Sequence, residues 1–231
     1  LLLDDGRVVM RVDNATADTV KITTADIEEM LETFDTVSYP TVTQTFGEGS
    51  DVDGDGKVLF LFTQLVDAEE FVAGFYRASS LFTDADGGDG NVADMMFIGF
   101  DSSRDFYDPM LAHEFQHLVN YNQHVLINRG SSEDSWLNEA LSHYAEDLVN
   151  GHVAGQMNRL YGPLLEGPEN YSLTGPAGTN NGIRGTAYLF LRGLVREFGE
   201  TVATQLVQTP LSGVENVEQA TGKPFDELLA S

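Results

Sequence analysis

Hydrophobic and polar positions follow two different periods along this chain, first that of strands and later that of helices. Residues 7–22 alternate loosely between apolar and polar side chains, which is typical of one or two short strands. The apolar runs at residues 58–62 and 95–100 have the composition of buried strands. Residues 41–46 carry threonine at every second position, which also favours a strand.

Helical spacing of apolar residues begins near residue 23 and dominates the second half. A first helix is predicted after Thr23 or Thr24, because threonine is a good N-cap. Asp108 and Pro109 predict the start of a second helix, since aspartate caps well and proline is tolerated at the first helical position. A third helix is predicted at residues 135–149. After a glycine-rich loop at 162–185, further helices are predicted at residues 186–198, 200–208 and 225–229.

This order of elements predicts an α+β fold in which strands come first and helices follow. The length of 231 residues fits one large domain or two subdomains that share a cleft. We predict a β-rich subdomain at residues 1–122, which includes the second helix, and a mainly helical subdomain at residues 123–231. The two together are expected to form one catalytic unit.

Charge and composition narrow the classes of partner. Acidic residues number 37 against 12 lysines and arginines, which gives a net charge of −25. Such a surface repels nucleic acid and anionic lipid, so we expect neither nucleic acid nor a membrane as a partner. Calcium binding, adaptation to high salt and simple solubility are three open explanations of the acidic surplus. The chain has no cysteine, which excludes disulfides and thiolate metal ligands.

Two further expectations concern the form of the protein. We expect a monomer. Residues 1–3 are apolar but too few for a signal peptide, so the chain is expected to be a mature or trimmed product.

The chemistry-bearing segment is His113-Glu114-Phe115-Gln116-His117, which reads H-E-x-x-H. Residues four apart lie on one face of a helix, so His113 and His117 can bind the same ion. Glu114 is rotated away from that face and can act as a general base on a water. Glu139 is the candidate third ligand, because catalytic zinc needs three protein ligands and an open fourth position. The alternatives to a metal site are an amphipathic helix whose two histidines have ordinary hydrogen-bond partners, and a Glu139 that lies on a solvated helix face.

The other histidines are weighed separately. His143 lies one helical turn after Glu139 and is a rival ligand, but we expect it beside a ligand or at the surface. His124 and His152 are expected to be ordinary packing or surface residues.

An acidic loop precedes the apolar run at residues 58–62. Asp51, Asp53 and Asp55, followed by Gly56, match the first half of an EF-hand loop, but the twelfth position is Phe62. A calcium loop of another type and a solvated turn are equally favoured. A weaker second candidate is formed by Asp84, Asp86 and Asp89.

The zinc segment, together with Asn138-Glu139-Ala140, resembles the gluzincin metallopeptidases, in which a glutamate completes the zinc site. The likeness is greatest to the hyicolysin-type bacterial metallopeptidases and covers most of the chain. The segments that carry it are residues 39–47, 51–62, 111–121, 136–146 and 187–192. The resemblance implies a zincin-like, thermolysin-like fold and a zinc endopeptidase that is secreted or extracellular and bacterial.

The chain departs from the thermolysin-like pattern twice. His143 stands where those enzymes have an aspartate that orients a zinc histidine. Residues 178–181 contain no histidine where those enzymes have one that stabilises the oxyanion. The candidates for that oxyanion role are Tyr171, Tyr188, Asn181 and Arg184.

These residues predict a zinc-dependent metalloendopeptidase that acts on protein or peptide substrates, with Glu114 as the general base. Residues 91–100 are expected to form an exposed edge strand that pairs with extended substrate. One alternative is a zincin-fold binding or adhesion domain that keeps the metal but has little or no turnover. Another is a calcium-stabilised structural module without zinc.

Overall fold

The computed structural model describes residues 2–12, 22–67, 73–99, 104–150 and 170–230. Within them, one sheet contains five strands in the order β1-β2-β3-β5-β4. The strands are Leu2–Asp5 (β1), Val8–Val12 (β2), Val58–Phe62 (β3), Gly74–Tyr76 (β4) and Met95–Ile98 (β5). β2, β3 and β5 are parallel, whereas β1 and β4 run antiparallel at the two edges of the described sheet.

Alternate side chains of the three central strands face one shared core. Met10, Phe60 and Met96 are neighbours across the sheet and are at most 1% exposed. Phe62 and Ile98 continue this apolar face in the same register. The strand predicted at residues 58–62 is therefore confirmed, and the one predicted at residues 95–100 is confirmed for residues 95–98. Residues 2–5 and 8–12 account for the first, looser pattern. Residues 13–21 and 100 lie outside the described part of the chain.

The helices pack against this sheet in a single buried cluster that also draws on the C-terminal part of the chain. They are Thr24–Thr33 (α1), Tyr39–Phe46 (α2), Gln64–Asp67 (α3), Arg104–Tyr121 (α4), Ser135–Asn150 (α5), Asn181–Phe198 (α6), Thr201–Val207 (α7), Gly213–Thr221 (α8) and Phe225–Ala230 (α9). The described strands all precede residue 99 and helices dominate afterwards, which confirms a mixed α+β architecture. The proposed boundary between residues 122 and 123 stays a prediction.

The strand predicted at residues 41–46 is wrong, because α2 occupies this segment. A π-helical turn at Phe34–Ser38 joins α1 to α2. The hydroxyl groups of Thr43 and Thr45 donate to backbone carbonyls four residues earlier, each at 2.9 Å, which accommodates β-branched residues in a helix. Val42 and Phe46, four residues apart, are fully buried, so tertiary packing outweighs the local strand preference.

Two helices also begin at residues other than those predicted. α4 begins at Arg104 rather than at Asp108, so Pro109 lies inside the helix. Proline lacks an N–H group for the carbonyl of Asp105, a cost that is small here because Asp105 is exposed to water. α6 begins at residue 181 rather than 186, because the Asn180 side chain accepts hydrogen bonds from the backbone N–H groups of residues 182 and 183.

The antiparallel pair α4 and α5 forms the frame of the candidate site. Contacts along the pair join His113 to Glu146 and Asn120 to Asn138, so residue numbers rise on one helix as they fall on the other. α5 buries the apolar face that the sequence predicts. This face consists of Trp136, Leu137, Ala140, Leu141 and Tyr144.

Candidate metal centre

The structure brings His113, His117 and Glu139 together between α4 and α5. The Nε2 atom of His113 lies 3.5 Å from one carboxylate oxygen of Glu139, and the Nε2 atom of His117 lies 3.7 Å from the other. Two ligand atoms of a tetrahedral zinc ion lie about 3.3–3.5 Å apart, given zinc–ligand distances of about 2.0–2.2 Å. The donor types and their spacing therefore fit a zinc ion with only small adjustments.

Hydrogen bonds on the far side of each imidazole set its tautomer. His113 Nδ1 lies 2.6 Å from the carboxylate of Glu146, so Nδ1 carries the proton and donates it. The Ser142 hydroxyl donates to Gln116 at 2.6 Å, and His117 Nδ1 lies 3.0 Å from the same hydroxyl oxygen. His117 Nδ1 is therefore also a donor. In both rings the Nε2 atom facing Glu139 can offer its lone pair to a metal.

Burial and charge determine the protonation of the three side chains. Burial lowers the pKa of His117 to about 4, which keeps this imidazole neutral. Burial alone would raise the pKa of Glu139, but the hydrogen bond to His113 and the charges around it hold that pKa well below the ordinary range. Burial lowers the pKa of His113, but hydrogen bonds to Glu139 and Glu146 outweigh burial and raise it to about 10. A cation bound here would compete with protonation of the Nε2 atom of His113.

Glu114 lies in the same pocket with one unpaired oxygen. Its side chain is buried, and its Oε2 atom has no hydrogen-bond partner among the described residues. Burial raises the pKa of Glu114 to about 7. A buried carboxylate with a free oxygen and a pKa near neutrality is suited to exchanging protons with a water molecule. A Cβ atom on Gly74 would lie 3.4 Å from Glu114 Cγ, so β4 passes directly beside this carboxylate.

Arg184, at the start of α6, supplies a positive charge to the site. Its Nη2 atom lies 3.1 Å from Glu139 Oε2, and its Nε atom donates to the carbonyl of Gly178 at 2.6 Å. The side chain is one-quarter exposed, so it borders both the metal triad and solvent. The Tyr188 hydroxyl instead donates to Asp147 at 3.1 Å.

Two of the other candidate residues have different surroundings. Tyr171 packs against Gly182, and Asn181 is exposed. Among the oxyanion candidates named from the sequence, Arg184 is therefore one that contacts a candidate ligand directly.

The prediction that residues 91–100 form an exposed edge strand is wrong for the described part. β5 lies between β3 and β4, and β4 takes the edge position next to Glu114. β4 has only three residues, Gly74-Phe75-Tyr76, and so few residues give no recognisable alternation in the sequence.

The acidic loop gathers Asp51, Asp53 and Asp55, whose carboxylate oxygens lie within 4.8 Å of one another. All three residues are exposed. Backbone N–H groups of the loop donate to each carboxylate, at 2.8 to 3.3 Å. In the second acidic loop, the carboxylate of Asp86 accepts from the hydroxyl group of Thr83, and that of Asp89 accepts from the backbone N–H and the side-chain amide of Asn91. Calcium binding by either loop stays a prediction, which a melting temperature measured with and without calcium tests.

The remaining histidines differ in position. His143 is buried rather than at the surface, donates to Glu146 at 3.0 Å, and has its ring centroid 4.8 Å from that of the candidate ligand His113. His124 is fully buried, 3.1 Å from the carbonyl of Leu206, away from the triad. His152 lies outside the described residues. Glu146 and Ser142 were not predicted from the sequence. The sequence signal that was available is their helical spacing, because both residues follow Glu139 on the face of α5 that packs inward.

No family model matches the chain. The chain is 28% identical to the neutral metalloprotease ShpI of Staphylococcus hyicus over 245 aligned residues, which cover 90% of this chain and 51% of that protein. It thus spans about half the length of this curated relative. The similarity supports a metallopeptidase family for the chain. Among the described residues, no helix is both long and apolar enough to cross a membrane.

Proposed function

We propose that this protein is a zinc-dependent endopeptidase of the gluzincin type with a zincin-like fold. The observation that carries the proposal is the convergence of His113, His117 and Glu139 beside the buried Glu114, whose Oε2 atom has no partner in the described part of the chain. The similarity to a bacterial metalloprotease supports the same reaction class. We further propose that the protein is secreted by a bacterium and acts as a monomer on proteins or peptides.

The chemistry that zinc supplies at such a site is Lewis acidity towards a carbonyl oxygen and a water molecule. Glu114 Oε2 accepts a proton from the attacking water and delivers it to the nitrogen of the leaving amine. The hydrogen bonds that His113 donates to Glu146 and that His117 donates to Ser142 keep both imidazoles oriented during these transfers.

We propose that extended substrate pairs with the free edge of β4. This strand lies at the edge of the described sheet and passes beside Glu114 at Gly74. An edge strand presents unpaired backbone groups to which a peptide can add as a further strand. The scissile bond is thereby carried to the side of the site where Glu114 has its free oxygen.

The experiment that tests the proposal is digestion of casein by the purified protein, together with metal analysis. We expect one zinc ion per chain, cleavage that a zinc chelator abolishes, and recovery when zinc is added back. Bound zinc without cleavage of casein or a peptide library favours the alternative of a binding or adhesion domain. Absence of zinc favours the calcium-stabilised structural module.

Arg184 is proposed as the group that stabilises the developing negative charge on the substrate oxygen. Replacing it by glutamine is expected to lower kcat by about 100-fold, the cost typical of losing one oxyanion donor. Replacement by lysine keeps the charge and is expected to retain part of the activity. Steady-state kinetics and zinc stoichiometry of both variants check this. If R184Q cleaves peptides at the parental kcat, the oxyanion donor lies elsewhere.

A further inference from the structure

A second buried carboxylate, Glu146, lies on the same face of α5 as Glu139. The two residues are seven positions apart, close to two turns of a helix with 3.6 residues per turn. Glu146 is 3% exposed and contacts two histidines through a single oxygen. Its Oε1 atom lies 2.6 Å from His113 Nδ1 and 3.0 Å from His143 Nδ1. This histidine–carboxylate–histidine array has no part in the reaction described above beyond orienting His113.

The array could be a second metal site or a chain of hydrogen bonds, and the distances favour the hydrogen bonds. Ligand atoms around one tetrahedral zinc ion lie about 3.3–3.5 Å apart. The separations of 2.6 and 3.0 Å are too short for that, but they are ordinary for an N–H group that donates to a carboxylate. His113, His143 and Glu146 do present ligand atoms within 4.8 Å of one another, but at the two short distances both histidines donate to Glu146.

We propose that Glu146 is the positioning residue for His113 and that His143 in turn holds Glu146 in place. This inference rests on the proposed zinc site. The carboxylate fixes the Nδ1–H tautomer of His113 and aims its Nε2 atom at Glu139. His143 occupies the position at which thermolysin-like enzymes place the orienting aspartate. In this chain the carboxylate that contacts His113 lies three residues further along the helix, and His143 donates a hydrogen bond to it.

The array also explains why His143 is buried without being a ligand. Its ring centroid lies 4.8 Å from that of His113, and its Nδ1 proton is used by Glu146. With Oε1 held by two donors, rotation of the Glu146 carboxylate would break both hydrogen bonds at once. Glu146 therefore orients His113 while His143 holds Glu146 itself in position.

The test measures zinc affinity by competition with a chromophoric chelator for the wild type, E146Q, E146A and H143A. Loss of an outer hydrogen-bond partner typically weakens metal binding by about 10–100-fold, so we expect E146A in that range. E146Q keeps an acceptor oxygen but loses the charge, so its zinc affinity should fall by a factor nearer to about 10 than to about 100. H143A should show a smaller loss than E146A, because Glu146 remains. E133Q is the matched control, since Glu133 is a buried carboxylate whose described partners lie outside the triad, and it should bind zinc like the wild type.

A second measurement is independent of zinc. Nitrogen-15 NMR of the metal-free protein should show a protonated Nδ1 on His113 in the wild type, with loss or exchange broadening of that signal in E146A. A wild-type zinc affinity in both E146Q and E146A, or a second zinc ion that E146A loses, would overturn the inference. A wild type that binds no zinc contradicts the proposed function instead, and the His113 signal then still decides whether Glu146 orients that ring.

Discussion

Replacing Glu114 by glutamine is expected to leave zinc bound and to remove nearly all peptide cleavage. General acid–base catalysis by a positioned side chain contributes about 10²–10⁴-fold, so kcat should fall by that factor. The amide has nearly the shape of the carboxylate but cannot accept the proton of the attacking water. Neither His113 nor His117 depends on Glu114 for a hydrogen bond in the structure, so zinc stoichiometry should stay the same.

The measurement is cleavage of casein and of a peptide library, with zinc content determined on the same samples. E28Q serves as the control, because Glu28 is exposed on α1 and its substitution changes the chain's charge equally. Parental cleavage rates in E114Q would remove Glu114 from the mechanism. Loss of zinc from E114Q would show instead that this carboxylate helps to hold the metal.

The part of the candidate site that lies within one helix is readable from the sequence. The period of an α-helix determines where His113, Glu114 and His117 point, whatever surrounds them. Glu139 requires one more step, because it lies on another helix. The apolar face of α5 supplies that step by indicating which side of the helix packs inward.

Residues whose importance arises only from helix packing could not be found in this way. Glu146 is one of 37 acidic residues, and its spacing from Glu139 shows that the two can share a face of α5 but not that Glu146 contacts His113. It reaches His113 only because α4 and α5 pair antiparallel in one particular register. Arg184 was named from the sequence as one of four oxyanion candidates, but its contact with Glu139 depends on the Asn180 cap, which starts α6 five residues earlier than predicted.

The errors in the fold have a similar physical origin. Alternating threonines favour a strand locally, but burial of Val42 and Phe46 makes residues 39–46 a helix. β4 is too short to have a period, although its position beside Glu114 gives it a role in substrate binding under the proposed function. Local preference is a weak guide wherever tertiary contacts decide the outcome.

Replacing Glu139 by alanine is expected to abolish activity by a different route, through loss of zinc. Removing an outer hydrogen-bond partner weakens metal binding by about 10–100-fold, so removing a ligand itself should raise the zinc Kd by more than about 100-fold. His113 and His117 would remain as two ligands on one helix, which is too few for a catalytic zinc site. Chelator competition measures the Kd, and added zinc should restore little cleavage.

The comparison with E114Q separates the two roles, because E114Q keeps zinc and loses turnover whereas E139A loses both. E139D is the informative intermediate, since it keeps the carboxylate but withdraws it by one methylene group. Circular dichroism and the melting temperature of the metal-free variants show whether the fold survives, because Arg184 and His113 lose a buried partner in E139A. If E139A binds zinc with the parental Kd, the third ligand is another residue. His143 is then the next to test, because it is the remaining histidine on α5 whose ring lies beside that of His113.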